Sequence, residues 1–564
     1  MPKPRPATSL EPYLIAALGF TLCACGGGTA TVANSTTGSS PSSTSGTGGS
    51  SGSGNSSGSS SSTHTDVVTY KNDVSRTGQN LTETALTVAN VAPPTFGLLR
   101  TLAVDGKVDA QPLYLSQLNI GGAAHDVVYV ATEADSVYAF DADTGATLWL
   151  VSLLGSGETL SDSHGCYQIV PEIGITSTPV IDRSAGTHGV IYVVAMSKDS
   201  SSVYHQRLHA LDVTTGAEVF NGPVEIAATY PASGGGTATF EPGQYAERAA
   251  LLLSQGIVYT SWTSHCDIPP YSGWIIGYNQ ATLAQASVLN IGPNSNSGPS
   301  IWMSGGGPSA DSSGNIYLLS ANGAFETTLD SNGFPNGQDY GNSFLKLAPG
   351  NSTLTVADYF AMSNEVAESS VDEDLGSGGA MLLPDLTDSG NTVQHLVVGA
   401  GKDSNLYVVN RDSMGKFNAN SNNIWQQLSG VLPGGIYATP AYFNGTVYYA
   451  DVGGTLKAFP ITGARLGNAS SAQSATRFTS PGSAPAISAN GTANGIVWAH
   501  ENTSPAVLHA YDATNLAHEL YNSTQAANNR DRLGAGNKFI TPTIADGKVF
   551  VGTQNSLAIF GLLQ

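Results

Sequence analysis

Two cysteines and two histidines are the residues whose types and spacing most directly suggest chemistry. His164 lies two residues before Cys166, and His265 immediately precedes Cys266. Two thiols in an exported protein are expected to form a disulfide. The alternative is a zinc site, because zinc accepts two cysteine and two histidine ligands, although the spacing fits no zinc motif. We predict a disulfide between Cys166 and Cys266.

The elements that must position these residues are short strands. Residues 126–153 contain an apolar run rich in β-branched residues, a polar turn at 133–135, a second strand and a return strand that carries Trp149. Asp141 and Gly145 form a tight turn between the last two strands, since Asp can bond to its own main chain and Gly tolerates a positive φ. Short strands bounded by such turns predict an antiparallel meander.

The same pattern of strands recurs along the chain with a period of about 40–50 residues, which indicates a propeller. Small residues and prolines mark the start of each repeat. The starts lie at positions 111–112, 178–179, 249–250, 307–308, 378–379, 439–440, 484–485 and 541–542. We therefore expect an all-β, eight-bladed propeller, with seven blades as the alternative. Residues 96–104 form a strand without a neighbour in sequence, and we expect it to complete the last blade so that no sheet edge stays open.

Two of the turns carry the motif of a known family. The stretch AFDADTGATLW at residues 139–149 resembles the tryptophan-docking repeat of pyrroloquinoline quinone (PQQ) enzymes. A second copy, ALDVTTGAEVF at residues 210–220, has Phe220 in the Trp place. On these motifs the chain resembles the quinoprotein-like β-propeller family over residues 67–564. The motif is specific for the fold and says less about activity, because non-enzymatic propellers also carry it.

The resemblance implies a cofactor and the residues that would hold it. Dehydrogenases of this family bind PQQ between aromatic faces, polarise its reactive carbonyl with Ca²⁺, and use an Asp to accept the proton of the alcohol. By their place in the sequence, Asp374 corresponds to that Asp and Asn322 to a calcium ligand. The other candidates would contact the cofactor, namely Trp262, Trp274, Trp302, Lys402 and Arg411.

The sequence also departs from these dehydrogenases, which carry two adjacent cysteines over the cofactor. No adjacent pair exists in residues 66–564, and Glu172 is only a weak candidate for the glutamate calcium ligand. Two functions therefore stay open. Our first expectation is a binding or assembly scaffold, whose partner is an unidentified envelope protein or small molecule and which has no certain cofactor. The alternative is a PQQ- and calcium-dependent dehydrogenase of an alcohol or sugar, which requires a central pocket that joins Asn322, Asp374 and an aromatic face.

The N-terminus is predicted to be a targeting segment. Lys3 and Arg5 precede an apolar stretch at residues 13–22, which is too short to span a bilayer and has the length of a signal-peptide core. The sequence Leu-Cys-Ala-Cys that ends at Cys25 resembles a bacterial lipoprotein signal. This resemblance implies that residues 1–25 are the signal peptide with its lipobox and that Cys25 is lipidated. An ordinary cleaved secretory signal is the alternative.

Residues 26–65 are almost entirely Gly, Ser and Thr, a composition that cannot bury a core. They predict a flexible tether, with an r.m.s. reach of about 35 Å, between a lipid anchor in the cell envelope and the propeller at residues 66–564. We expect the protein to be anchored in the outer membrane and to be a monomer. The formal net charge of −21 argues against nucleic acid as a partner, since that partner requires a basic surface.

Overall fold

The computed structural model describes residues 65–232, 234–295 and 297–564. The predicted signal peptide, Cys25 and the tether up to residue 64 lie outside the described residues. Within them the chain forms eight sheets of four or more strands and two small two-stranded sheets. Most neighbouring strands in the large sheets follow one another in sequence, as a meander of turn-bounded strands predicts. The fold is an eight-bladed β-propeller, and the predicted number of blades is confirmed.

The first four blades follow one another between residues 113 and 361. Blade 1 contains the strands Leu113–Ile120, Ala123–Ala131, Ser136–Asp141 and Thr147–Ser152. Blade 2 contains Val180–Asp182, Val190–Lys198, Tyr204–Asp212 and Val224–Glu225. Blade 3 contains Leu252–Ser254, Ile257–Ser264, Trp274–Asn279 and Gln285–Asn290. Blade 4 contains Ser309–Ala310, Ile316–Leu319, Ser343–Pro349 and Leu354–Ala361.

The other four blades complete the ring. Blade 5 contains the strands Met381–Leu382, Leu396–Ala400, Leu406–Asn410 and Gln426–Leu428. Blade 6 contains Ala441–Phe443, Thr446–Ala450, Thr455–Thr462 and Ala472–Arg477. Blade 7 contains Ala486–Asn490, Ala493–Glu501, Val507–Asp512 and Asn515–Asn522. Blade 8 contains Thr543–Ala545, Lys548–Gly552, Ser556–Leu562 and Phe96–Ala103.

Short elements decorate the blades. The remaining strands are Gln79–Asn80, Thr159–Asp162, Glu172–Ile173, Thr229–Pro231, Thr237–Thr239, Tyr245–Ala246, Leu386–Thr387, Val393–Gln394 and Arg465–Leu466. The helical elements are the α-helix Glu365–Ser370 and the 3₁₀ turns Met303–Gly305, Leu375–Ser377 and Ala527–Asn529. Among the described residues, none of the helices has the length and apolar character needed to cross a bilayer.

Blade 8 closes the ring with a strand from the other end of the chain. Phe96 pairs with Leu562 and Ala103 pairs with Ser556 in antiparallel register. The predicted role of the strand is confirmed, and the strand ends one residue earlier than predicted. Its first side chain is fully buried in the apolar core shared by blades 7 and 8. The ring is therefore fastened by main-chain hydrogen bonds rather than left with two free edges.

Blades 1 and 2 are held together by the tryptophan-docking motif. The indole N–H of Trp149 in blade 1 donates to the carbonyl oxygen of Val213 in blade 2 at 3.0 Å. The ring lies over Gly216, where an added Cβ would come within 2.7 Å of the indole. Gly216 also has a φ of +69°, which favours glycine. The glycine of the motif is thus required both by its turn and by the tryptophan of the preceding blade.

The segment that precedes the first blade closes one end of the central channel, and we call residues 67–80 the channel plug. It forms hydrogen bonds with all eight blades. The hydrogen bonds are Val67 N to Tyr114 O, Ile181 N to Val68 O, Arg76 Nη2 to Leu251 O, Ala310 N to Val74 O, Leu382 N to Ser75 O, Tyr442 N to Thr77 O, Ile487 N to Gly78 O and Asn80 Nδ2 to Ile544 O. All but one of the blade residues belong to the inner strands, and Leu251 immediately precedes the inner strand of blade 3. The plug therefore spans the axis of the ring.

Candidate functional site

A cavity of about 250 Å³ lies near the axis, among the connections that precede the inner strands. Trp302, Tyr437 and Phe539 line it, and they precede the inner strands of blades 4, 6 and 8. The plug bonds to the inner strands themselves, and its side chains Lys71 and Arg76 also reach carbonyl groups directly before them, those of Pro440, Pro308 and Leu251. The cavity is thus built from the connections that precede the inner strands, and no plug residue is part of its lining.

The aromatic wall of the cavity is built around Trp302. Its ring centroid lies 5.8 Å from that of Tyr437 and 6.1 Å from that of Phe539, with interplanar angles of 76° and 88°. These edge-to-face arrangements are favourable for aromatic rings. They leave a half-buried indole in the wall of a concave site. Such a wall can bind a planar apolar group through stacking and dispersion.

The disulfide predicted from the sequence is present and lines the same cavity. Cys166 and Cys266 are bonded, which joins the long connection after blade 1 to the loop after the second strand of blade 3. The bond uses both sulfurs, so the zinc alternative is not supported. Two stacked imidazoles lie beside it, because the rings of His164 and His265 are 4.1 Å apart with an interplanar angle of 11°. Burial lowers the pKa of His265 to about 3, so this side chain is neutral at physiological pH.

The charged groups in the cavity wall are both cations. Arg248 and Lys538 line the cavity, and no Asp or Glu of the described residues does. The Arg248 guanidinium lies 4.7 Å from the centroid of the Phe539 ring, and its Nη1 lies 3.4 Å from Oδ2 of Asp109. Burial, together with the charges of Arg248 and Lys107, lowers the pKa of Lys538. Asp109 offsets part of this positive charge, and an anion in the cavity would offset more of it.

Three residues predicted as site residues come together behind Trp302. The main-chain N–H of Asn322 donates to Oδ1 of Asp374 at 3.1 Å, and the Lys402 ammonium lies 3.7 Å from Oδ2 of the same carboxylate. Lys402 also lies 5.6 Å from the centroid of the Trp302 ring. The connection before blade 5 supplies Asp374, and the segments after the second strands of blades 4 and 5 supply the other two. Of this group only Trp302 itself lines the cavity.

The carboxyl group of Asp374 is almost completely buried, with 3% of the residue exposed. Burial raises its pKa to about 6, although the charge of Lys402 acts in the opposite direction. Burial acts to lower the pKa of Lys402, but Asp374 and Asp372 outweigh it and the pKa is raised. A carboxyl group that titrates near pH 6 can accept a proton at neutral pH, which is the property needed in a general base.

The structure places the remaining predicted cofactor contacts elsewhere. Trp262 is fully buried, donates its indole N–H to Oγ1 of Thr260 at 2.9 Å, and packs in the core between blades 2 and 3 together with Trp274. Arg411 lies 4.0 Å from Asp311 in a separate pocket, whose lining includes plug residue Ser75. Their assignment to the cofactor site is therefore corrected: Trp262 and Trp274 serve packing, and Arg411 is held by an acid near the plug.

The calcium part of the prediction does not fit the observed arrangement. Oδ1 of Asp372 accepts the side-chain amide of Asn322 at 2.8 Å and the ammonium of Lys402 at 2.9 Å. Over the part of the chain that the structure describes, no group of three or more His, Cys, Asp or Glu side chains is placed to hold a metal ion. Glu172 lines a neighbouring cavity with Lys107 and does not join Asn322.

Sequence reasoning missed the two cations and two of the aromatic rings of the cavity. Arg248, Tyr437, Lys538 and Phe539 each lie just before the inner strand of a blade, next to the small or Pro residues that mark the blade starts. Their position just before inner strands was the feature of the sequence that could have identified them, since residues before inner strands meet at the axis. Asp267 was also missed, although it directly follows Cys266. Burial raises its pKa, and Asp372 reinforces the shift.

Comparisons with known proteins agree with the fold. A family model for PQQ repeats, described as outer membrane protein assembly factor BamB, matches residues 73–260. The comparison with curated protein sequences gave no match. Solved structures match a larger part of the chain than this family model does.

Three solved structures illustrate this likeness. Quinohemoprotein alcohol dehydrogenase from Comamonas testosteroni superposes with a TM-score of 0.57 at 15% identity, covering 88% of this chain and 80% of its own. Quinohemoprotein alcohol dehydrogenase ADHIIG from Pseudomonas putida HK5 gives 0.55 at 13% identity, with the same two coverages of 88% and 80%. A europium-containing methanol dehydrogenase gives 0.52 at 12% identity and covers 88% of this chain and 98% of its own. At these identities the likeness shows the fold.

Proposed function

We propose that this chain is an exported, lipid-anchored propeller that binds a planar, aromatic, carboxylate-bearing small molecule in the cavity beside Trp302, with PQQ as the first ligand to test. One observation carries the proposal: the cavity combines three aromatic side chains and two cations, and none of the described residues that line it is an Asp or Glu. Aromatic walls bind planar rings, and Arg and Lys bind carboxylates through charge-assisted hydrogen bonds. The distribution is informative because the chain as a whole has a formal net charge of −21.

A small-molecule ligand fits these features better than a protein partner does. Concave sites of a few hundred Å³ with apolar walls and a few placed polar groups are typical of small-molecule binding, and this cavity has about 250 Å³. The disulfide between Cys166 and Cys266 fixes one part of its wall. A fixed wall lowers the entropy cost of ordering the site when the ligand binds. The size and rigidity of the cavity therefore favour a binding role over an assembly role, the two roles that the scaffold prediction left open.

The cell envelope is the proposed location, and the N-terminal sequence supports it. Cys25 follows an apolar stretch and precedes the Gly/Ser/Thr-rich residues 26–65, as in bacterial lipoproteins. Stable attachment would depend on the acyl chains. Cys25→Ser should therefore move the protein from the membrane fraction to the soluble fraction of the envelope. A variant that stays with the membrane would contradict lipid anchoring at this residue.

The binding proposal is tested by titrating purified protein with PQQ in a calorimeter, with and without added Ca²⁺. We expect saturable binding to the wild type and at least about tenfold weaker binding to Arg248→Gln, because one charge-assisted contact contributes about 1.5–3 kcal/mol. Arg411→Gln is the matched control, since it removes a guanidinium that lies outside the cavity. The absence of saturable binding, or equal weakening by both variants, would contradict the proposal.

A dehydrogenase is the second candidate, and the titration of Asp374, which lies behind Trp302 and outside the cavity lining, favours it. Bound PQQ would supply a two-electron oxidation. Asp374, with a pKa of about 6, is largely ionised at neutral pH and can accept a proton at its carboxylate oxygens. Lys402 holds that carboxylate from one side, and the main-chain N–H of Asn322 holds it from the other.

Reduction of an artificial electron acceptor by PQQ-loaded protein, with a panel of alcohols and sugars, tests this candidate. Asp374→Asn should abolish turnover and leave PQQ affinity within about twofold, because Asn keeps the size of the side chain and loses its proton affinity. Wild-type protein that binds PQQ and reduces no acceptor with any of these substrates would leave binding as the function.

A further inference from the structure

Lys402 lies at the centre of an oxygen-rich cluster behind Trp302. Its ammonium contacts the carboxylates of Asp372 at 2.9 Å and Asp374 at 3.7 Å. Asn322 contacts the same two carboxylates through its side chain and its main chain. Asp267 interacts electrostatically with Asp372 and Lys402. The single ammonium of Lys402 therefore neutralises this acidic cluster. The resemblance to quinoprotein dehydrogenases places a calcium ligand, Asn322, in the same cluster.

The oxygen atoms of this cluster point at donors of the protein itself. A calcium ion needs six to eight oxygen ligands at about 2.3–2.6 Å. Oδ1 of Asp372 accepts two hydrogen bonds, and Oδ1 of Asp374 accepts one. The second oxygen of Asp374 faces the ammonium of Lys402. A calcium ion would have to displace these contacts before it could bind.

We propose that the Lys402 ammonium takes the place of a divalent cation at this site, so that the cluster does not bind calcium and the neighbouring cavity binds its ligand without calcium. The part about the ligand rests on the proposed function, and the part about the cluster does not. Because the ammonium is attached to the chain, its effective concentration at the carboxylates exceeds that of any free ion. Its attraction to the indole face of Trp302 holds it in place as well.

Replacement of the ammonium by an uncharged group of similar length is the direct test. Lys402→Met leaves Asp372, Asp374 and Asn322 with free oxygen atoms and no internal cation. Terbium is the probe, because Tb³⁺ occupies calcium sites and luminesces when a nearby indole such as Trp302 is excited; Ca²⁺ calorimetry then confirms the site. Wild-type protein should show no saturable signal, and Lys402→Met should bind Ca²⁺ with a Kd in the range of about 10⁻⁴–10⁻³ M that extracellular calcium modules show.

A second lysine–carboxylate pair provides the control. Lys457 bonds to the fully buried Asp451 at 2.7 Å, without a second carboxylate in the pair. Lys457→Met should therefore gain no metal binding, and adding Asp372→Asn to Lys402→Met should abolish the gain. Circular dichroism establishes that each variant is folded. If Lys402→Met does not fold, the conservative Lys402→Gln replaces it, with the same expected gain.

Two results would overturn the proposal. The first is saturable Ca²⁺ or Tb³⁺ binding by the wild type at this cluster, and the second is no gain of binding in a folded Lys402 variant. The part of the proposal about the ligand is tested by titrating the wild type with PQQ in EDTA. We expect the same PQQ affinity in EDTA as in Ca²⁺. Loss of PQQ binding in EDTA contradicts the proposal, whereas a failure to bind PQQ under any condition contradicts the proposed function and leaves the metal measurements decisive.

Discussion

The guanidinium of Arg76 in the channel plug donates to the carbonyl oxygen of Leu251, 175 positions further along the chain, at 3.1 Å. Arg76 is completely buried and makes three more hydrogen bonds, to Pro308, Thr69 and Tyr70. Burial lowers its pKa to about 10, which leaves it charged at neutral pH. One side chain thus ties the plug to blades 3 and 4.

Removal of this side chain should destabilise the whole ring. Arg76→Ala leaves several buried carbonyl oxygens without donors, and each unsatisfied group costs about 1–3 kcal/mol. We expect the free energy of unfolding in urea to fall by about 3 kcal/mol or more. Arg532→Ala is the control, because Arg532 is exposed. Equal stability of the two variants would mean that the plug contributes little to the fold.

The closing strand makes a second contribution to stability that can be measured. Phe96 is fully buried, and its ring lies 5.0 Å from that of Tyr521 and 5.4 Å from that of Trp498. Phe96→Ala should lower the free energy of unfolding by about 3–5 kcal/mol, as expected for a large buried aromatic side chain. Leu99→Ala, at a position of the same strand that is 38% exposed, should change it by less than about 0.5 kcal/mol. Equal effects would contradict closure through Phe96.

The eight-bladed ring could be predicted from the sequence, whereas the arrangement of side chains around the cavity could not, and the two have different physical causes. Turns such as Asp141–Gly145 and the blade starts are encoded by neighbouring residues, so the blades can be counted from sequence. Trp262 and Trp302 look alike in sequence, yet one points into an interblade core and the other into the cavity. Arg248 and Lys538 meet only because the ring brings blades 3 and 8 to one axis. A local pattern does not contain that information.

The two glutamates beside His509 predict a pH dependence of stability. His509 is bonded to Glu501 at 2.7 Å and Glu519 at 2.6 Å. Burial acts to lower its pKa, but these two carboxylates outweigh burial and the pKa in the folded protein is raised. The folded state therefore binds the proton more tightly than the unfolded state does. The resulting stability is fully present below the unfolded pKa of about 6.5 and is lost as pH rises through the folded pKa.

His509→Gln should accordingly cost more stability at pH 6 than at pH 10, measured as the difference from wild type in urea unfolding. Taking that difference at each pH removes the contributions of groups that titrate equally in both proteins. His518→Gln is the control, since the His518 side chain is 56% exposed. A loss for His509→Gln that does not change with pH would contradict the raised pKa.

The disulfide should contribute to both the fold and the cavity. It closes a loop with a sequence separation of 100, for which the chain-entropy model gives about 4.7 kcal/mol at 25 °C. The double variant Cys166→Ser/Cys266→Ser should lose up to about this amount in urea unfolding and should bind PQQ more weakly, because part of the cavity wall is released. Non-reducing peptide mapping of the wild type should recover Cys166 joined to Cys266. Two free thiols in exported wild-type protein would contradict the pairing.

The central claim is that the cavity lined by Trp302, Arg248 and the disulfide binds a planar aromatic carboxylate. The most direct measurement is a crystal structure of wild-type protein grown with PQQ. Our account predicts electron density for the ligand inside this cavity, in contact with Trp302 and with at least one of Arg248 and Lys538. Density at another place on the propeller, or an unchanged cavity at a PQQ concentration that saturates binding in solution, would contradict it.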